Sequence, residues 1–349
     1  MIGYRRVGDG EPVLIVAEAG VNHNGDIDRA KQMIAAAAEV GADAVKFQTW
    51  RTEAIMCRDA PKAEYQKRDA ADSETMFEME KALELPPEAF AVLKEEAERA
   101  GLIFLSSPFD EPSTDVLADL DVAAFKLPSG ELTNLPLLRH IARQGKPMII
   151  STGMATLGEV ETAVAAAADE GNERIVLLHC TSCYPADICD CNLRAMQTLR
   201  SAFGLPVGYS DHTKGLTTAL AAVALGACVI EKHFTLDRAL PGPDHKASLE
   251  PDELLVLVQS VRDVETALGS AKKAPTAAEA NVRAAARKSI VAARLISAGT
   301  RITADMLALK RPGTGLSPDA LELVIGQVAA EDIAEDTLLE WGMLRPAGG

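Results

Sequence analysis

Short apolar runs in this sequence repeatedly end in residues that carry charge or hydrogen-bonding groups. They are Glu18, Lys46 and Gln48, Ser106 and Ser107, Lys126 with Ser129 and Glu131, Ser151 and Thr152, Ser182 and Tyr184, Ser210 with Asp211 and His212, and Glu231 with Lys232 and His233. A polar group in an apolar run costs burial energy unless it meets a partner or lines a site. Lys46 and Lys126, together with the hydroxyls and Gly-flanked turns, point to a bound anion, a phosphate or carboxylate, because ammonium, O–H and backbone N–H donors complement one another there. The alternative is structural ion pairing of these lysines with Glu18, Glu131 or Glu231. His212 and His233 close consecutive runs, so two imidazoles can reach one divalent ion and leave positions open for water and substrate; a hydrogen-bonded core histidine is the alternative. Glu18, Glu131 and Glu231 are the candidates for proton exchange with substrate and water. Asp244 and His245, in PGPDHKASLE, suit a sugar hydroxyl, or serve only as loop and helix cap.

Elements that bring such scattered positions together must repeat. Eight apolar runs, at 13–20, 44–50, 103–109, 124–131, 147–153, 175–182, 206–212 and 229–235, alternate with amphipathic stretches such as DRAKQMIAAAAEVG and PDELLVLVQSVRDVETALG. The runs are almost wholly apolar rather than alternating, as in strands covered on both faces. Eight βα repeats predict a (β/α)8 barrel over residues 1–270, with the chemistry at the C-terminal strand ends. The Arg51–Leu85 stretch is too long for a plain βα loop and predicts an excursion over the barrel mouth. Residues 271–288, rich in Ala and charge, read as a linker, and 289–349 as a small module near the lower size limit for independent folding.

The 349 residues carry 35 Lys+Arg against 51 Asp+Glu, a net charge of −16, with 48% hydrophobic residues. Such a chain folds around a core, and its acidity argues against nucleic acid and anionic membranes as partners. The N-terminus lacks a signal peptide's uninterrupted apolar stretch, so a cytoplasmic location is expected. Six cysteines are too sparse for a disulfide framework. Cys180, Cys183, Cys189 and Cys191 lack the paired CxxC knuckles of a zinc site and read as filler and surface thiols.

The segments AEAGVNHNGD, AVKFQTW, SSPFD, FKLPSGELTN, IISTGM, LLHCTSCYP, VGYSDHT, VIEKHFTLD and PGPDHKASLEPDEL occur in this order along nearly the whole chain. In this the sequence resembles the sialic acid synthase family, the N-acetylneuraminate synthases and close relatives such as the legionaminic acid synthases. KSIVAA, AGTRI and KRPGTGL are similar to the small antifreeze-like (SAF) domain that closes these enzymes. The resemblance implies metal-dependent condensation of phosphoenolpyruvate with an N-acetylated hexose and release of inorganic phosphate by C–O cleavage. It favours N-acetylmannosamine as acceptor, with 2,4-diacetamido-2,4,6-trideoxymannose as the alternative. Phosphoenolpyruvate then falls to Lys46, Lys126, Ser129, Ser151, Ser182 and Ser210, and a divalent metal, manganese with magnesium or cobalt as alternatives, to His212 and His233. The acceptor falls to Gln48, Tyr184 and Asp244, with Arg311 reaching in from the partner of a domain-swapped homodimer. Ser182 stands where Asn is often found, and PADICDCNL departs from the more usual PAPFEDVNL. Two other readings compete: a Schiff-base aldolase using Lys46, Lys126 or Lys232, and a non-catalytic sugar-binding barrel.

Overall fold

Eight parallel strands close on themselves in the order β1 (Leu14–Gly20), β2 (Ala44–Thr49), β3 (Ile103–Pro108), β4 (Phe125–Leu127), β5 (Met148–Ser151), β6 (Ile175–Cys180), β7 (Val207–Asp211) and β8 (Val229–His233). β1 pairs with both β2 and β8, so the sheet has no free edge. The structure, a computed structural model, describes residues 1–61 and 75–347. The central part of the predicted 51–85 excursion therefore lies outside the described residues; its described flanks form the helices Thr52–Ile55 and Met76–Leu83.

The strands are apolar throughout because each face of the sheet meets a different packed layer. Ile15, Ala17, Val45, Phe47, Phe104, Phe125, Ile150, Leu177, Tyr209 and Ile230 face the surrounding helices. Leu14, Val16, Ala44, Ile103, Leu105, Ile149, Val176, Leu178 and Val229 fill the barrel interior, with Ile2 packed against them. The interior is tight: a Cβ on Gly208 would sit 2.6 Å from the carbonyl oxygen of Val229 and 2.7 Å from Leu178 Cδ2. Following the same period of two toward the strand ends, the inward positions turn polar: Glu18, Lys46, Gln48, Ser107, Lys126, Ser151, Ser210, Glu231 and His233. The fold thus converts the polar endings of seven separate strands into one lining.

Boundary signals along the chain are local. Asp26 and Asn134 cap the helices Ile27–Glu39 and Leu135–Arg143, and Thr156 with Glu159 forms a reciprocal capping box on Leu157–Asp169. The predicted strand 124–131 is shorter than expected. Pairing stops at Leu127, Pro128 removes the next N–H donor, and Ser129–Glu131 turns into a 3-10 helix.

The chain divides into two compact units, Met1–Gly269 and Ser270–Gly349. In the second, Ser289–Ala292 pairs antiparallel with Leu307–Lys310, and Val328–Ala329 with Leu344–Arg345. Ile290, Ile296, Ile302, Val324, Ile333 and Leu339 form its core. Its segment before the first strand contains a helix, Glu279–Ala286, with no buried residue. Among the described residues no helix is long and apolar enough to cross a membrane.

Candidate functional site

At the C-terminal ends of the strands lies a cavity of about 360 Å³. Its floor is an alternating array of charge. Lys46 Nζ is 2.8 Å from Glu18 Oε2, an ion pair without full hydrogen-bond alignment, and 3.7 Å from Glu231 Oε2. Lys126 Nζ is 3.4 Å from Glu231 Oε1. Ser210 donates to Glu231 Oε1 at 2.9 Å, Gln48 to Glu18 Oε1 at 3.2 Å, and Lys46 to Ser107 at 3.1 Å. All four charged groups are buried. Strand register explains the meeting, since Glu18 pairs with Lys46 across β1/β2 and Ser210 with Glu231 across β7/β8.

Burial and charge pull the two carboxyls apart. Burial raises the proton affinity of Glu18, Lys46 offsets only part of that, and the Glu231 charge adds to it. Burial also opposes ionisation of Glu231, but Lys126 and Lys46 together overcome it and hold this carboxylate ionised. Lys46 is kept firmly cationic because Glu18 and Glu231 outweigh its desolvation, whereas desolvation wins at Lys126 and lowers its pKa.

One wall is made of hydroxyls. Ser129 Oγ accepts the Gly153 N–H at 3.1 Å and lies 3.1 Å from Cys180 Sγ. Only glycine fits at 153, because a Cβ there would lie 2.2 Å from Ser182 Oγ and 2.8 Å from Ser129 Oγ. Ser151 Oγ is buried without a hydrogen-bond partner. The imidazoles of His212 and His233 also line the cavity, their ring centroids 5.4 Å apart, with the Tyr184 ring tilted against His212 at a centroid distance of 4.2 Å. His212 Nδ1 is 2.8 Å from the carbonyl oxygen of Thr181, which fixes Nδ1 as the protonated nitrogen and leaves Nε2 with its lone pair. Burial lowers the His212 pKa to about 4, and burial, His212 and Lys46 lower that of His233 well below its ordinary value. His233 Nδ1 is buried without a hydrogen bond, 3.7 Å from Asp244 Oδ2. Two neutral imidazoles with an orphaned nitrogen fit a divalent ion held by His212 and His233 and completed by oxygen from elsewhere.

Gln48, Ser182, Tyr184 and Asp244 also line this cavity. Other expectations need correction. Glu131 does not line it: displaced by the turn after Pro128, its carboxylate accepts from Asn134 Nδ2 at 2.7 Å. Asp211 and Lys232, adjacent to inward residues, face the helix layer, where Lys232 Nζ pairs with Asp211 Oδ2 at 2.8 Å, both side chains fully buried. Ser106 likewise points outward, onto Thr49. His245 lies between Thr235 at 2.7 Å and Asn24 at 3.0 Å and ties down its loop. Arg311, by contrast, lies where it was expected, in the second unit, and its Nε donates to the Ala286 carbonyl at 3.0 Å.

One acidic lining residue is absent from the sequence inventory: Glu80, on the Met76–Leu83 helix. Met76, Met79 and Leu83 of that helix pack on Val21, Trp50 and Phe109, and Glu80 occupies the same helical face. A carboxyl within the apolar stripe of MFEMEKAL is the signal that could have found it.

Comparison with known proteins supplies the family. Residues 33–273 match the model of the NeuB family and residues 287–345 that of the SAF domain. The chain is 48% identical over 343 residues to the N,N'-diacetyllegionaminic acid synthase of Legionella pneumophila, covering 97% of this chain and 96% of the relative. It is 40% identical over 339 residues to the N-acetylneuraminate-9-phosphate synthase of Mus musculus, covering 96% and 94%. The crystal structure of the N-acetylneuraminic acid (sialic acid) synthetase from Leptospira borgpetersenii superposes with a TM-score of 0.72 at 38% identity, covering 81% of this chain and 94% of that one. By the extent of these matches, and by a closed barrel whose strand ends gather two buried lysines, two buried glutamates and two neutral histidines, the chain belongs to the NeuB family of nonulosonic acid synthases, with a C-terminal SAF domain.

Proposed function

We propose that this enzyme condenses phosphoenolpyruvate with 2,4-diacetamido-2,4,6-trideoxymannose, forming N,N'-diacetyllegionaminic acid and inorganic phosphate. The observation that carries the reaction class is the buried Glu18–Lys46–Glu231–Lys126 array beneath a wall of serine hydroxyls. The 48% identity to the N,N'-diacetyllegionaminic acid synthase of Legionella pneumophila favours the diacetamido acceptor over N-acetylmannosamine.

Lys46 and Lys126 bind the phosphate and carboxylate of phosphoenolpyruvate, with Ser129, Ser151, Ser182 and Ser210 completing the donors. Gln48, Tyr184 and Asp244 hold the open-chain acceptor so that its aldehyde carbon faces carbon 3 of phosphoenolpyruvate. A divalent ion, manganese with magnesium or cobalt as alternatives, is held by His212 and His233 and when bound supplies Lewis-acid polarisation of the acceptor aldehyde. Carbon 3 bonds to the aldehyde carbon, whose oxygen takes the proton held by Glu18, the carboxyl whose proton affinity burial has raised, and positive charge develops at carbon 2. Water adds to carbon 2 and passes one proton to Glu18, now ionised, which restores its protonated form; Glu231 stays ionised as the anchor of both lysines. The bond between carbon 2 and the bridging oxygen then breaks, inorganic phosphate leaves with that oxygen and with the proton of the carbon 2 hydroxyl, and carbon 2 becomes the ketone. Arg311 completes the acceptor site of the partner in a domain-swapped homodimer. The Schiff-base alternative loses Lys232, which is tied to Asp211 on the far face of β8.

Phosphoenolpyruvate carrying an oxygen-18 bridging label, incubated with each acceptor, tests the reading. All label should appear in phosphate, with faster turnover of the diacetamido sugar. Retention of label in the sugar acid, or covalent trapping of a lysine by borohydride, refutes it.

A further inference from the structure

The cavity takes anions at its floor, yet another part of its lining is built the opposite way. Glu80 lines it from the Met76–Leu83 helix and Asp244 from the loop after β8. Within that helix the only lysine, Lys81, is committed elsewhere, with its Nζ 3.1 Å from both Glu53 and Glu84. Glu80 itself makes no ion pair or side-chain hydrogen bond among the described residues, and burial raises its pKa to about 7. Asp244, on the same lining, is buried. A solitary carboxyl on the docking face of a helix is costly unless something bound in the cavity meets it. The same cavity holds three buried polar atoms without hydrogen bonds, Glu18 Oε2, Ser151 Oγ and His233 Nδ1, the last 3.7 Å from Asp244.

We propose that Glu80 is a specificity-determining residue of the acceptor site, which together with Asp244 selects an uncharged amino sugar and rejects its phosphorylated counterpart. The inference rests on the proposed condensation and names the side chain that restricts its acceptor. A carboxyl accepts from a hydroxyl or acetamido N–H when ionised and donates to a carbonyl when protonated, so in either state it suits a neutral sugar. A phosphate monoester needs cations or several N–H donors, and beside Glu80 and Asp244 it meets like charge instead.

The test compares N-acetylmannosamine with N-acetylmannosamine 6-phosphate, each as acceptor and as competitor of the preferred acceptor. It uses full-length enzyme with its metal, at mildly alkaline pH, in the wild type, Glu80→Gln and Glu80→Arg. The wild type should favour the neutral sugar. Glu80→Gln should shift the ratio of apparent affinities toward the phosphorylated sugar by about tenfold, equivalent to ~1.4 kcal/mol, and Glu80→Arg further. The KM for phosphoenolpyruvate, read in parallel, separates this effect from general damage to the fold, which would move both substrates. An unchanged ratio in both variants overturns the inference while leaving the condensation intact. Failure of the wild type to consume phosphoenolpyruvate with any neutral N-acetylated sugar overturns the condensation and the inference with it.

Discussion

Replacing Lys46 with Met removes a cation 2.8 Å from Glu18 and 3.7 Å from Glu231, together with its 3.1 Å hydrogen bond to Ser107. Breaking a buried ion pair from one side costs ~3–5 kcal/mol when the remaining charge has nowhere to go. Here both remaining charges have an outlet. Glu18, already raised by burial, takes a proton, and Glu231 keeps Lys126 at 3.4 Å and the Ser210 hydroxyl at 2.9 Å. The loss of stability therefore falls to ~1–3 kcal/mol, the usual range for an unmet buried polar group. For a domain of this size that is a decrease in Tm of roughly 2–12 °C. Binding of phosphoenolpyruvate loses a charge-assisted contact of ~1.5–3 kcal/mol, so its Kd should rise about 10- to 150-fold. The acceptor, held by other side chains, should change by less than about threefold. Calorimetric titration with phosphoenolpyruvate, acceptor KM and thermal melts of the same preparation measure all three. Lys126→Met should lose affinity similarly but less stability, because Lys126 has only the 3.4 Å pairing and is already weakened by desolvation. Equal losses for both substrates, or unchanged phosphoenolpyruvate affinity in a folded Lys46→Met variant, would refute the anion assignment.

His212→Ala and His233→Ala should each reduce bound manganese to background and abolish turnover while near-native melts persist; near-normal metal content in either folded variant contradicts the two-imidazole cradle. Glu80 carries a pH signature in stability. Its folded pKa, about 7 against an ordinary 4.5, means that the folded state binds the proton more tightly, so this group lowers stability progressively as pH rises from about 4.5 to about 7. The Tm of Glu80→Gln minus that of the wild type should therefore increase across that window, and a flat difference removes the claim that the carboxyl is half-buried and unpaired. Arg311→Ala should be inactive, and mixing it with an inactive barrel variant such as His233→Ala should restore activity after subunit exchange. A fully active monomer, or no rescue after verified exchange, rules out a shared site.

All eight strands were legible in the sequence because strands covered on both faces leave long apolar runs, and the register between them did the rest. What such runs hide is the side to which each residue points. Asp211 and Lys232 look as available for chemistry as Ser210 and Glu231, but the period of two sends one pair to the helices and the other to the cavity. The rule was usable in advance: once Glu231 and His233 face inward, Lys232 between them faces out. Glu131 was misplaced because FKLPSGE reads as one extended segment, whereas pairing extends only over Phe125–Leu127. Glu80 escaped for a different reason. It lies on a helix, where the relevant pattern is the 3–4 spacing of Met76, Met79 and Leu83 rather than a strand end.

The sequence posed ion pairing and anion binding by Lys46 and Lys126 as rival explanations, and the geometry gives a reason for both to hold. Two lysines buried side by side without carboxylates would be driven toward their neutral forms, as desolvation already does to Lys126. Glu231, held ionised between them, keeps the pair cationic before any substrate arrives. It cannot neutralise both and also leave room for a multiply charged phosphate ester unless the second carboxyl gives way. Glu18 is the one that can, because burial has already raised its proton affinity. On the proposed reaction, an arriving phosphate ester adds negative charge beside Glu18 and favours its protonated form still further. That leaves Lys46 free to turn toward the ligand while Glu18 stays in contact with it. Glu18→Gln, neutral in every state, should then bind phosphoenolpyruvate at least as tightly as the wild type while losing turnover. A Glu18→Gln variant that loses affinity for phosphoenolpyruvate as severely as Lys46→Met would show instead that the carboxylate is needed to position the lysine.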